Sequence, residues 1–340
     1  MNITEIKQKL LSKEYDFLRT NEHLGSNIIF LTTGGSYAYG TNTETSDLDI
    51  RGIAMEREKE IIGLVKFEQF ENHETDTVIY AFRKMIELLL NCNPNVIEIL
   101  GTSEDHLFVL TEEGKLLRDN AGLFLSKKAM HSFGGYATAQ LRRLENALTR
   151  DNYPQAEKEK HILDSLKNQM YHFQEKYTEF TGESIRLYLD KSDKEEFDEE
   201  IFMDITLTHY PLRDFHGIYS EMSNVVKDYS KLNNRNKKKD DKHLNKHAMH
   251  LIRLLLMGSE ILEGKGINTY RSHDREFLLE IRNGKFQKED GSFRQEFFDL
   301  VDVLEKRLQY AAENSSLPSK PDYNKVEEMV IEINKRNISK

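Results

Sequence analysis

Apolar positions mix strand and helical spacing over the first hundred residues, then keep almost wholly to helical spacing beyond about residue 120. The opening segment MNITEIKQKLLSKEYDFLRT has the pattern of an amphipathic helix. Asn27–Thr33, NIIFLTT, is a short β-branched run closed by Gly34-Gly35, which reads as a buried strand. Ser46–Met55, SDLDIRGIAM, alternates as a second strand, with Asp47, Asp49 and Arg51 on one face and Leu48 and Ile50 on the other. TDTVIY, Thr75–Tyr80, predicts a third strand that runs into a helix over Ala81–Leu90. Asn93 followed by Pro94 reads as a helix N-cap with proline at the first helical position.

The later chain predicts a helix over SKKAMHSFGGYATAQLRRLENALT, interrupted or kinked near Gly134-Gly135. The acidic run around 190–203 and the lysine- and asparagine-rich run Lys231–Lys246 read as solvated loops, since blocks of like charge repel and stay exposed. HLNKHAMHLIRLLLMGSEILEG predicts a strong amphipathic helix. Ser315–Asp322 reads as a linker before a last helix from Lys325 to about Arg336, and no internal repeat is present. The 340 residues allow two domains, at ~100–200 residues per domain.

Composition narrows the setting. Charged residues make up 31% of the chain, and no apolar run reaches the ~20 residues of a membrane span. No charged segment followed by an apolar one opens the chain, so no signal peptide and no membrane partner are expected. Cys92 is the single cysteine, which excludes an internal disulfide and fits a cytoplasmic location. A net charge of −10 argues against a surface built for duplex DNA, while leaving room for a local basic cleft.

Two carboxylates at i and i+2 on a strand point the same way and can share divalent cations. Magnesium takes one or two carboxylates, with substrate phosphates and water completing its shell. Asp47 and Asp49 have that spacing, and a third acid from a neighbouring strand would complete a two-metal site. Gly34, Gly35 and Ser36 sit where a strand ends and a helix begins at SYAYG. Glycine permits close backbone approach there, and amides with the Ser36 hydroxyl can hold phosphate oxygens. Alone, each element is a weak signal. Together they form an apolar strand, Gly35-Ser36, ten intervening residues and Asp47-x-Asp49.

That arrangement resembles the polymerase β-type nucleotidyltransferase superfamily. The chain is further similar to the nucleotidyltransferases associated with RNA repair in bacteria and phages. Asp76–Leu100, Phe133–Leu144, His247–Ile267 and Asp274–Lys285 carry this likeness in family order over roughly residues 30–290, and residues 150–240 look divergent. The resemblance implies an α+β fold, with a small mixed-sheet nucleotidyltransferase domain, a mostly helical domain and a nucleotide cleft between them. The expected segments are 1–120, 121–314 and a linker with C-terminal helix at 315–340. It also implies nucleotide contacts at Gly35 and Ser36, and catalytic metal ligation by Asp47 and Asp49. Asp76, at the head of the TVIY strand, is the expected third ligand, with Glu74 as its rival.

Lys246, His250 and Arg253 share a helix face, which could meet nucleotide phosphates or form ordinary half-buried salt bridges. Tyr136 and Gln140 could touch a base or ribose, or serve packing. Arg282 could bind substrate or simply close a helix. Arg83 or Lys84 could contact phosphate. The expected cofactors are two Mg²⁺ or Mn²⁺ ions, with an NTP as substrate. The acceptor is a hydroxyl on an RNA end, a small molecule or a protein. A catalytically silent nucleotide-sensing or partner-binding module and a metal-dependent phosphodiesterase are the alternatives. No phosphate-loop, serine-hydrolase, zinc-protease or dinucleotide fingerprint is present.

Overall fold

The computed structural model describes residues 1–151, 160, 163–164, 166, 185–192, 199–209, 211–213, 215–217, 219–220, 222–224, 226–227, 241–289 and 291–338. Two compact units divide the chain. One comprises Met1–Arg143 with Asp241–Lys340, and the other Leu144–Asp240. This grouping differs from the expected limits at 120 and 314, because the first unit takes in helices from both ends of the chain.

The first unit opens with α1 (Ile3–Leu10) and α2 (Phe17–Thr20), separated by a 3₁₀ turn where the sequence predicts unbroken helix. Asn2 and Glu5 form a capping box: Asn2 Oδ1 accepts from Glu5 N at 3.0 Å, and Glu5 Oε2 from Asn2 N at 2.7 Å. β1 (Ile28–Thr33) leads into α3 (Gly35–Tyr39) and β2 (Ile50–Ala54). Then come α4 (Glu58–Ile61), β3 (Gln69–Asn72), β4 (Thr77–Ala81), α5 (Phe82–Leu89) and α6 (Pro94–Leu100). The Asn93 side chain caps α6 as the sequence predicts. β5 (Leu107–Leu110) and α7 (Glu112–Asp119) follow.

The sheet has five strands in the order β3-β4-β2-β1-β5. β2 runs antiparallel to β1 but parallel to β4, with Ile50 opposite Thr77. One face buries Leu31, Ile50, Ala54 and Ile79 against Ile6, Leu10, Leu18 and Leu24. Strands β3 and β5 carry too little alternation for the sequence to show them.

α8 (Lys128–Asp151) runs through Gly134-Gly135 without the expected interruption. α9 (Asp241–Leu262) packs against α10 (Arg275–Arg282) and α11 (Gln295–Asn314), and α12 (Tyr323–Ile338) packs on α7. Gly258 sits near the C-terminal end of α9, where a Cβ would lie 2.8 Å from Phe133 Cβ and 3.0 Å from Leu308 Cδ1. The close packing that glycine allows there offsets its cost to helix propensity. The mixed sheet and the mostly helical C-terminal part bear out the α+β class.

In the second unit, β6 (Ile185–Lys191) and β7 (Glu199–Ile205) pair antiparallel, so the expected acidic loop is partly strand. Arg186 opposes Asp204 and Lys191 opposes Glu199, which offsets the acidic charge across the ladder. Residues 193–198 of that run, and 231–240 of the lysine-rich run, lie outside the described residues. The remainder of the lysine-rich run, Asp241–Lys246, opens α9 instead of a loop.

A buried ion pair ties α9 to the sheet side of the first unit. Arg253 Nη1 donates to Glu98 Oε2 at 3.0 Å, and Tyr39 Oη donates to Glu98 Oε1 at 2.6 Å. The Arg253 guanidinium also lies 3.7 Å from the Tyr39 ring centroid. Replacing Glu98 by Gln leaves a buried guanidinium without its counter-charge and is expected to cost about 3 kcal/mol. Urea denaturation measures this; a loss under about 1 kcal/mol would mean the pair is not what joins these elements.

Candidate functional site

β1 delivers the chain to Gly34 and Gly35. The Gly34 amide donates to the Asp49 carbonyl at 2.8 Å, so the two ends of the polar loop are joined directly. Gly35 has φ +53°, and a Cβ on it would lie 1.8 Å from Asp49 Oδ2. Glycine is required here for both conformation and space. Ser36 is half-buried on the first turn of α3, and its carbonyl accepts from Thr41 N at 2.9 Å.

The loop itself is clasped from α10 and the segment before it. Arg282 Nη1 donates to the Thr41 carbonyl at 2.6 Å, and Nη2 to Ser46 Oγ at 3.2 Å. Arg275 Nε donates to the Gly40 carbonyl, and the Arg271 amide to the Tyr39 carbonyl at 3.0 Å. Arg282 therefore positions the loop that carries the aspartates, which neither sequence reading of it anticipated.

Asp47 and Asp49 lie just before β2, not within it. Asp47 is exposed, whereas Asp49 is mostly covered. The parallel register places Asp76, the residue before β4, beside Asp49: the Ile50 amide donates to the Asp76 carbonyl at 3.1 Å. Asp76 has φ +44°, an unfavourable conformation for an aspartate, held by this pairing. Burial pushes Asp49 up to about 7, and its hydrogen bond to Asp76 adds to the rise. That same bond, with Arg51 and Lys246, holds Asp76 below the usual carboxylate range. The Glu74 amide donates to Asn72 Oδ1 in the preceding turn, and Asp76 is the acid that meets Arg51.

The expected face of α9 divides. Lys246 is exposed and near enough for its charge to favour ionisation of both Asp49 and Asp76. His250 lies edge-on to Tyr39, with ring centroids 6.4 Å apart. Burial, then Arg253, Lys246, His247 and Arg282, push it well below the ordinary imidazole range. Arg253 is buried on Glu98 and presents no open cationic face. Gln140 meets His247 at 2.8 Å, Tyr136 is exposed, and Lys84 pairs with Glu68 at 3.7 Å. Cys92 is buried beneath the Phe124 carbonyl.

Among the described residues no group of three His, Cys, Asp or Glu side chains is placed to hold an ion. Asp49 and Asp76 nevertheless fit a hard divalent cation. They are adjacent carboxylates, and burial disfavours the charge on Asp49, which such an ion would offset; the missing Cβ at Gly35 makes room for the Asp49 carboxylate itself. Two carboxylates suffice when phosphate oxygens and water supply the other ligands. A cavity of about 580 Å³ lined by Leu10, Leu18, Ile28, Leu31, Phe108 and Val109 among others contains none of these site residues.

Residues 8–176 match the model of the RNA repair pathway DNA polymerase beta family. Over this segment the chain is similar to that family. No curated protein and no solved structure matches the chain. The family description indicates a polymerase β-like, nucleotidyltransferase-type role. Its match spans Gly35, Ser36, Asp47, Asp49 and Asp76 and stops short of Lys246, His250 and Arg253. No helix of the described residues is long and apolar enough to cross a membrane.

Substituting Gly35 by Ala is expected to cost about 1–3 kcal/mol and to displace the Asp49 carboxylate, because both φ and the contact oppose a Cβ. Chemical denaturation checks the stability, and a Gly35→Ala protein as stable as wild type would contradict the local geometry. A second expectation concerns His106, whose Nδ1 lies 2.8 Å from Thr33 Oγ1. Burial lowers its pKa, so the folded chain resists protonation that the unfolded chain accepts. Stability should therefore fall as pH drops through about 6.5, and less so in His106→Gln. Melting temperatures from pH 7.5 to 5 test this.

Proposed function

We propose that the protein is a divalent-metal-dependent nucleotidyltransferase that moves a nucleoside monophosphate from an NTP to a hydroxyl and releases pyrophosphate. The observation that carries this reading is the convergence of Gly35, Asp49 and Asp76 at one end of the parallel β2–β4 pair, in a chain similar to the polymerase β-like family. Asp49 and Asp76, with Asp47 from the exposed loop, would hold Mg²⁺ or Mn²⁺. The ion would supply charge neutralisation for the triphosphate and a lower pKa for the attacking hydroxyl.

The chain's own residues set the rest. Gly35 and Ser36 receive the phosphates where the backbone can be approached closely. Lys246 offsets phosphate charge from the opposite side, while His250 stays neutral and Arg253 keeps Tyr39 in place from within. Asp76, half-exposed and held ionised, accepts or orients the acceptor's proton. The acceptor oxygen bonds to the α-phosphorus, the α–β bridging bond breaks, and pyrophosphate leaves with that electron pair. The family description makes an RNA end the first acceptor to test.

The decisive assay offers each α-labelled NTP with Mg²⁺ or Mn²⁺ to RNA, to small hydroxyl compounds and to the protein itself. Labelled acceptor and pyrophosphate are expected from wild type, and Asp47→Asn with Asp49→Asn should lower the rate by about a thousandfold or more while leaving the fold intact. Full activity in the double variant refutes the site. The lack of a three-acid cluster among the described residues favours a second reading, a nucleotide-sensing module. Tight metal–NTP binding with no labelled acceptor and no pyrophosphate would select it.

A further inference from the structure

Arg51 projects from β2 into the space between the two carboxylates. Its Nη2 lies 3.0 Å from Asp76 Oδ1 and 3.6 Å from Asp49 Oδ1. Nη1 donates to the Ile50 carbonyl at 2.9 Å and to the Asp76 carbonyl at 2.5 Å. The stem crosses the other half of the site, since a Cβ on Gly34 would lie 2.7 Å from Arg51 Cγ. One side chain thus touches the glycine turn and both acids, and it is 22% exposed, so solvent reaches it.

A guanidinium and a divalent ion cannot occupy the same face of a carboxylate pair. Arginine stays charged at every accessible pH, so protonation changes cannot clear it. A competing cation has to displace it, or an anion has to draw it off. A triphosphate at Gly34–Ser36 is such an anion, and the stem already lies along that turn. Swinging the head from acid to phosphate needs only side-chain rotation; it releases the Ile50 and Asp76 carbonyls along with the acids, and phosphate oxygens accept in their place.

We propose that Arg51 is a displaceable internal cation: it closes the Asp49–Asp76 pair in the nucleotide-free protein and passes to the phosphates when nucleotide and ion arrive together. This rests on the nucleotidyltransferase reading of the site. Free metal then binds weakly, and the metal–nucleotide complex binds well, because Arg51 opposes the first and supports the second. The site is guarded against loading an ion before a substrate is present.

Calorimetric titration of the full chain tests this with Mn²⁺ alone and with Mn²⁺ plus α,β-methylene-ATP. Arg51→Gln is expected to bind free Mn²⁺ about tenfold more tightly than wild type and the Mn²⁺–nucleotide complex about tenfold more weakly. The melting temperature of Arg51→Gln in EDTA should fall and recover with Mn²⁺. Arg51→Lys keeps the charge without the fork, should fall between the two, and carries the same test if the glutamine variant is unstable. A merely structural Arg51 would move both affinities in one direction or neither, and either result overturns the proposal. Asp49→Asn separates the two levels. If it leaves Mn²⁺ binding unchanged, the metal site itself is wrong. If it abolishes binding while Arg51→Gln shows no opposed shifts, only the role of Arg51 fails.

Discussion

The parallel pairing of β2 with β4 is the constraint on which the site depends. Residues that immediately precede two parallel strands in matched register emerge at the same end of the sheet, side by side. With Ile50 opposite Thr77, Asp49 and Asp76 become neighbours although 26 residues separate them. Antiparallel pairing would send them to opposite ends. The crossover through α4 and β3 serves this geometry, and the positive φ at Asp76 is a local strain held by the pairing. The Gly34 amide bonded to the Asp49 carbonyl then fixes the glycine turn against the same edge.

Two sets of interactions keep that edge from relaxing. Glu98 joins Tyr39, at the end of α3, to Arg253 of α9, and both partners are buried. Arg271, Arg275 and Arg282 hold the backbone from Tyr39 through Ser46. A loop of polar residues would otherwise have few apolar contacts to define it. Donors placed on its carbonyls substitute for the core packing that it lacks.

The parts of this arrangement legible in the sequence are those set by near neighbours. The strand into Gly34-Gly35, the turn to helix at SYAYG and the capping of α6 by Asn93 each follow from a few adjacent residues. Alternation placed Asp47, Asp49 and Arg51 on one side, but it could not show that β2 begins only at Ile50 and leaves Asp47 exposed. It also could not show what Arg51 faces, because Asp76 reaches it through strand pairing. The target of Arg282 lies 241 residues upstream at Thr41, beyond any local pattern. Arg253 shows a related limit of local pattern. Shared helical spacing with Lys246 says that two residues lie on one face, not that both ends of that face are open.

The difference between Lys246 and Arg253 extends to every cation around the loop. In a chain of net charge −10, a cluster containing Arg51, Lys246, Arg253, Arg275 and Arg282 looks at first like a single anion-binding patch. Hydrogen-bond accounting separates them. Arg275 and Arg282 donate to loop carbonyls, and Arg253 is neutralised by Glu98 away from water. Withdrawing any of these for a phosphate would undo the structure that holds the site. Arg51 also donates to the Ile50 and Asp76 carbonyls, but its acidic partners are groups that a divalent ion can take over, while Lys246 is exposed at the same pair. The capacity to answer an incoming triphosphate therefore resides in two side chains, and the other three cations are what keep those two in place.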